Sequence, residues 1–216
     1  MMRTAPEGRW FIVGAWIIAL ILVIGALRAG TVGWWIAAPA WVALSIWVVA
    51  FFRDPNREGA RGHQYVVAPA DGKVVSIVEV EEPTFFNGRA VRISIFMNVF
   101  DVHVNRYPTD GTVAYRHYNA GKFGHAGAEK SSLDNEQSSV GLDTSKGKVL
   151  IRQIAGLIAR RIVTDHSVGE QVRQGERMGM IRFGSRVDLF VPVGARVLVR
   201  VGDRTRAGVT VVAQWN

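Results

Sequence analysis

The most specific chemistry in the chain sits in two adjacent residues, Gly184 and Ser185, within "MIRFGSRVDLF" (180–190). A serine hydroxyl can attack the carbonyl of the residue before it through a five-membered ring, if that peptide is held in an unusual conformation. Glycine at the preceding position has no Cβ to obstruct the attack and tolerates dihedral angles that other residues avoid. Such a step needs a base for the hydroxyl proton, a group to orient the base and donors for the oxyanion. Five histidines are available: His63, His103, His117, His125 and His166. His103 stands apart, because it lies in "ISIFMNVFDVHVNRYP" (93–108), a strand-like run whose alternation puts Asp101, His103 and Asn105 on one face. Asp71 in "APADGKV" is a candidate carboxylate, although Asp-Gly is also an ordinary turn signal. On its own each of these residues has a plainer reading, since Gly-Ser pairs are common and a lone histidine is more often structural than catalytic. The absence of cysteine removes thiol nucleophiles, disulfides and thiolate zinc sites. No H-E-x-x-H or paired-ligand spacing occurs, so no metal is expected.

The segments that must place these groups differ sharply along the chain. Trp10 to Leu27 is uncharged, and so is Thr31 to Phe52, with only Arg28-Ala29-Gly30 between them. As helices they would span roughly 27 and 33 Å, against a bilayer hydrocarbon core of about 30 Å. A two-helix membrane hairpin is therefore expected over residues 1–52, with helices at about 10–27 and 31–52. Trp10, Trp34, Trp35 and Trp47 suit interfacial positions, and Pro39 is a candidate kink. A cleaved signal peptide is the plainer alternative, but no small-x-small site closes the first segment and a second apolar run follows at once. A hairpin leaves both ends on one side. Arg3 and Arg9 flank one end and Arg53, Arg57 and Arg61 follow the other, which places the remainder of the chain on the cytoplasmic side of the cell (inner) membrane.

Residues 53–216 hold 23 of the 26 basic residues and 17 of the 18 acidic ones, so the formal charge of +8 is shared rather than concentrated. Blocks of like charge and basic-aromatic interleaving are absent, and no nucleic-acid partner is expected. The region reads as short Val- and Ile-rich strands separated by Gly, Pro, Asn and Asp. The expected strands are 65–67, 72–80, 90–96, 111–118, 148–155, 157–164, 177–183, 187–191, 195–201 and 208–213. The Gly- and Ser-rich stretch 119–139 reads as a long loop. The fold class is mainly β: a domain resembling a barrel-sandwich hybrid, preceded by the membrane hairpin. Strand-turn-strand units at 66–77 and 191–208 support that architecture. They also admit a rival function, a non-catalytic membrane-anchored adaptor or carrier module, although Lys73 is not placed as a carrier lysine would be.

Seven stretches together resemble the phosphatidylserine decarboxylases, in particular their short membrane-tethered bacterial and archaeal class: "FFRDPNR" (51–57), "VVAPADGKV" (66–74), "ISIFMNVFDVHVNRYP" (93–108), "GKFGHA" (121–126), "DNEQSS" (134–139), "IRQIAGLIARRIV" (151–163) and "GMIRFGSRVDLFVP" (179–192). The resemblance implies a proenzyme that makes its own cofactor. Ser185 would attack Gly184 and cut the precursor into a large chain, 1–184, and a small chain, 185–216. Residue 185 would become a pyruvoyl group, which forms a Schiff base with the serine amine of phosphatidylserine and releases CO2 and phosphatidylethanolamine. The partners implied are phosphatidylserine in the membrane and the two chains of one precursor. A homo-oligomer is compatible with the resemblance but not fixed by it. Position by position, the resemblance makes Ser185 the nucleophile, Asp71 the acid and His103 the histidine of the site. Longer members carry H-x-x-H where this chain has His103 and Arg106, which leaves His125 and His166 as candidate assistants. Asn135 and Glu136 match a family N-E pair.

Overall fold

The computed structural model describes residues 3–121, 135–156, 161–182 and 185–215. The chain divides into two compact units, residues 1–56 and 57–216.

In the first unit, α1 (Arg9–Ala29) and α2 (Val32–Phe51) form an antiparallel hairpin. Gly30 makes its turn, with φ +63°, the left-handed conformation that favours glycine at a helix C-terminus. Small residues line the seam: Ala15, Ala19, Ala26 and Ala38 are buried, and Ser45 and Trp41 both donate to the Ala15 carbonyl, at 3.1 and 3.0 Å. Close backbone approach and interhelical hydrogen bonds hold helices together where the surroundings are apolar. Pro39 lies inside α2 without ending it. The open end is tied by hydrogen bonds from the Ala5 amide to the Phe52 carbonyl and from the Asp54 amide to the Arg3 carbonyl. Both helices are long and apolar enough to cross a membrane, and most of their residues are exposed.

Among its described residues the second unit contains β1 (Tyr65–Val67), β2 (Gly72–Glu82), β3 (Gly88–Met97), β4 (Val104–Arg106), β5 (Gly111–Asn119), β6 (Gln137–Thr144), β7 (Gly147–Ala155), β8 (Ile162–Thr164), β9 (Gln171–Val172), β10 (Arg177–Ile181), β11 (Ser185–Pro192), β12 (Arg196–Val197), β13 (Arg204–Thr205) and β14 (Val211–Gln214). Eight strands form one curled antiparallel sheet in the order β13-β2-β3-β11-β7-β6-β5-β9. Two three-stranded sheets, β1-β14-β12 and β4-β10-β8, accompany it. The fold is mainly β, as the sequence implies.

The core is packed by Val74, Ile93, Ile95, Val140, Ile151, Val187 and Leu189 from the large sheet, with Met178 and Ile181 of the small β4-β10-β8 sheet. Full burial of each such side chain stabilises the fold by about 1.5–3 kcal/mol. The segment from residue 185 onward supplies strands to two of the three sheets. β11 lies between β3 and β7, β13 pairs with β2, and β14 lies between β1 and β12.

Four sequence expectations change in detail. The run 93–108 is not one strand: β3 ends at Met97, a tight turn follows, and β4 begins at Val104. The turn is held by Asn98 and Asp101, whose side chains accept from the Phe100 and Asn98 amides. Residues 137–139, expected in a loop, open β6, and of the expected strand 157–164 the described part is Ile162–Thr164. The expected strand at 195–201 is reduced to Arg196–Val197.

Candidate active site

Ser185 is the first residue of β11 and is 0% exposed. Its register partners are Met97, the last residue of β3, and Ala155, the last residue of β7. Three strand ends therefore converge on the hydroxyl, which donates to the Met97 thioether at 3.4 Å. Val187 and Leu189, on the same face of β11, are core residues, so the serine occupies a core position at the rim of the sheet. Gly184 and His125 lie outside the described residues.

His103 is also 0% exposed and immediately precedes β4. Its Nδ1 lies 3.0 Å from the Asp101 carbonyl oxygen. A neutral imidazole that donates from Nδ1 keeps its lone pair on Nε2, which makes Nε2 the basic nitrogen. The His103 carbonyl accepts from the Ile181 amide at 3.3 Å, so the histidine runs beside the end of β10 that leads towards residue 185. The acid, imidazole and amide expected on a common face are thus distributed differently. Asp101 belongs to the turn, and its carboxylate accepts from the Asn98 amide and from Arg204. Its contribution to His103 comes from the backbone.

Asp71 stands between β1 and β2. Its Oδ2 takes Arg57 Nη2 at 2.7 Å and its Oδ1 takes the Ala207 amide at 2.7 Å. Arg57 and Asp71 are 6% and 13% exposed, so Arg57 is an internal partner of Asp71 rather than a free surface charge. Arg106 donates to the Gly175 carbonyl at 3.1 Å. His166 packs edge-on against Tyr107 and has Nε2 3.6 Å from Glu176. Burial pushes the Tyr107 phenol well above its ordinary value, so this neighbour of His166 stays neutral.

The N-E pair has a structural explanation. Asn135 Nδ2 donates to the Ala155 carbonyl at 2.8 Å, and the Ala155 amide donates to the Glu136 carbonyl at 3.0 Å. Ala155 is the register partner of Ser185, so the pair fixes the strand end beside the hydroxyl. Glu136 Oε1 also accepts from Tyr118 at 2.9 Å and from the Ile162 amide at 3.2 Å, joining β5 to the start of β8. The hydrogen bond to that carboxylate raises the Tyr118 phenol above its ordinary value.

A second polar group was not legible in the sequence. Ser138, Thr164, Gln153 and Asn105 form a continuous hydrogen-bonded chain, with links of 2.9, 3.1 and 2.8 Å. It ends at Asn105 Nδ2, 3.7 Å from the same Met97 sulfur that Ser185 meets. The residues come from four strands, and only Asn105 drew attention in the sequence.

The candidate site thus joins a buried serine at a strand junction, a buried histidine whose Nδ1 is bound to a backbone carbonyl, and a scaffold in which the segment after that serine supplies strands to two sheets. A family model described as phosphatidylserine decarboxylase matches residues 44–213, and the chain belongs to that family, whose members are decarboxylases. Similar proteins named "Phosphatidylserine decarboxylase proenzyme" occur in Symbiobacterium thermophilum (47% identity, 97% of this chain and 94% of the relative), Aromatoleum aromaticum (45%, 91% of each) and Nitrosomonas europaea (43%, 98% and 95%). These matches do not favour the adaptor or carrier alternative.

Proposed function

We propose that this protein is a membrane-anchored proenzyme that cuts itself between Gly184 and Ser185, converts residue 185 to a pyruvoyl group and decarboxylates phosphatidylserine to phosphatidylethanolamine. The observation that carries the reading is the seat of Ser185, fully buried at the head of β11 and held in register between Met97 and Ala155. A nucleophile closed off from bulk water suits an attack on its own chain, which needs no entering reagent. In that attack Oγ bonds to the Gly184 carbonyl carbon and the C–N bond breaks, leaving an ester. Elimination then frees a carboxylate at Gly184 and leaves dehydroalanine at 185, whose imine tautomer is hydrolysed: water supplies the carbonyl oxygen and ammonia leaves.

The group so formed fits the seat. It replaces a serine side chain and amine with an atom set of similar size, at the free head of a strand whose neighbours already hold it on both sides. Its carbonyl supplies the electron sink that a carbon losing CO2 requires and that ordinary side chains lack. In this reading His103 Nε2 takes the Ser185 proton during the cut and afterwards serves as the acid that protonates the substrate carbon. Asp71 is the acidic member, held by Arg57 and the Ala207 amide, and it fixes the corner between β1 and the 204–207 segment. The small chain, 185–216, remains with the large one because each of its four strands is paired to it or to a strand that is.

The hairpin supports a membrane location. Its apolar side chains face outward, among them Trp10, Leu20, Leu27 and Ile36, and exposure of that kind suits lipid better than water. Arg3, Arg9 and Arg53 at the ends of the hairpin support a cytoplasmic side of the cell membrane for the catalytic unit. Phosphatidylserine is the substrate the family implies, and an anchor keeps the enzyme on the surface where that lipid resides.

Denaturing electrophoresis and intact mass of the purified protein test the reading. Two fragments dividing at Gly184–Ser185 are expected, the smaller blocked at its N-terminus, with CO2 released from phosphatidylserine. Ser185→Ala is expected to abolish both cutting and activity, and CO2 release by that uncut variant would end the cofactor assignment.

A further inference from the structure

Two tight turns of the second unit carry apolar side chains at their tips. In the first, Asn98 to Asp101, the Asp101 amide donates to the Asn98 carbonyl at 3.0 Å and Phe100 is 70% exposed. In the second, Arg200 to Asp203, the Asp203 amide donates to the Arg200 carbonyl at 3.1 Å, Gly202 takes φ +103° and Val201 is 61% exposed. Turn tips ordinarily take Gly, Pro, Asn, Asp or Ser, so the backbone calls for neither the ring nor the valine. The turns are neighbours, because Arg204, which follows the second, donates to the Asp101 carboxylate of the first at 3.0 Å. Val75, also exposed, adjoins the second turn: the Gly202 amide donates to the Val74 carbonyl at 2.8 Å.

Basic residues frame these tips. From Val193 to Arg206 the chain reads "VGARVLVRVGDRTR". Val197 and Val199 pack against the core, while the alternate residues Arg196, Leu198 and Arg200 are exposed. Arg206 is exposed too, as is Lys73, the register partner of Arg204. Among the described residues Lys73, Arg196, Arg200 and Arg206 form no ion pair. The two acids of the region are engaged in holding the turns, Asp203 by accepting from the Arg200 amide at 2.8 Å and Asp101 by accepting from the Asn98 amide at 2.9 Å. The face is therefore apolar at its tips and positive around them.

An exposed apolar patch with a polar rim is a docking surface, and a basic rim fits an anionic one. Resting on the membrane-anchored reading above, we propose that these two turns form a second membrane contact, which sets Phe100 and Val201 into the headgroup layer of an anionic phospholipid surface. Lys73, Arg196, Arg200 and Arg206 attract the headgroups, and the tips leave water. The contact serves the candidate site. The first turn joins Met97, register partner of Ser185, to the segment that carries His103, so docking holds that end of β3 at the lipid surface.

The chain has no cysteine, so Val201→Cys and Phe100→Cys each introduce a single thiol for a fluorophore. The full-length variants are reconstituted in phosphatidylcholine vesicles with and without phosphatidylglycerol, an anionic lipid that has no carboxyl group to lose, which makes the readout independent of turnover. Val168→Cys is the reference: it is exposed and adjoins β5, towards the other end of the large sheet's strand order. Lipids with a quencher at headgroup depth are expected to quench the labels at 100 and 201 in anionic vesicles and to spare the label at 168. Arg196→Gln and Arg200→Gln are each expected to lower the docked-to-undocked ratio about fivefold, the weight of one basic residue near an anionic surface. Salt at about 1 M, where the Debye length is about 3 Å, should remove the same contribution. Labels at 100 and 201 that are quenched no more than the label at 168 overturn the proposal. So do labels that quench one another without quencher lipid, which assign the face to a second copy. Flotation separates the two readings: a chain that floats with neither vesicle type ends the membrane-anchored reading and this contact with it, whereas a floating chain with unquenched labels ends the contact alone.

Discussion

The two faces of β11 solve the problem of buried polarity in opposite ways. On the inner face Ser185 continues the row of Val187, Leu189 and Val191, and the Met97 sulfur that it meets is also reached by the neutral hydrogen-bonded chain of Asn105, Gln153, Thr164 and Ser138. On the outer face Arg186 and Asp188 form a buried ion pair, with Nε 2.9 Å from Oδ1 and Nη2 donating to Oδ2 at 3.1 Å. Arg152 and Glu82 add a second pair, at 3.1 Å, and with Phe190 they line a cavity of about 480 Å³. A neutral network loses only hydrogen bonds when one member is removed. A buried ion pair holds a strand rigidly but leaves a charge stranded when one partner is lost. The strand that opens with Ser185 is thus held by charge on one face and by neutral contacts on the other.

The contrast predicts unequal costs. Stability is best compared in the uncut Ser185→Ala background, where unfolding involves one chain and a melting or denaturant curve has a single reference state. Asp188→Ala should be the most damaging, because Asp188 is 0% exposed and Arg186 would lose its buried counter-charge. A loss of about 3–5 kcal/mol is expected for breaking such a pair from one side. Thr164→Val tests the neutral network. It leaves the Gln153 oxygen without its donor, a loss of about 1–3 kcal/mol. Equal costs for the two substitutions would erase the distinction between the faces.

How much of this could be read from the sequence depends on whether a residue's role is local. Most strands were legible because Val and Ile alternate within each one. β6 was not, because "QSSVGLDT" is poor in the β-branched apolar runs that mark buried strands, and its serines are buried for reasons set elsewhere in space. Ser138 meets Thr164, and Ser139 accepts from Arg152 Nε at 3.2 Å. Ser185 and His103 stood out because few residue types can act as nucleophile and base. Asp101 is not legible in this way, because strand alternation stops at the turn that holds it and the group that binds His103 Nδ1 is its backbone carbonyl. The Asn105 chain could not have been found by spacing. Its members lie on β4, β6, β7 and β8, and only the register through Gly179 and the neighbouring strands brings them together.

The smallest expected effect lies at the edge of the charged face and concerns acid rather than substitution alone. Burial would raise the Glu82 carboxyl, but hydrogen bonds from Thr84 and from the Phe85 and Phe86 amides, together with Arg152, outweigh it and hold the group below its ordinary value of 4.5. A carboxyl that is more acidic in the folded state contributes stability that is complete above the unfolded value and disappears as pH falls through the folded one. The melting temperature of the uncut protein should therefore fall as the medium is acidified below about pH 5. Glu82→Gln should lower it near neutral pH and flatten the acid limb, because the neutral amide binds no proton on unfolding. The inner face has no carboxylate in its chain, so Thr164→Val should shift the whole curve without changing that slope. An acid limb that steepens in Thr164→Val, or that persists unchanged in Glu82→Gln, would place the pH-sensitive charge on the wrong side of β11 and remove the electrostatic half of the contrast.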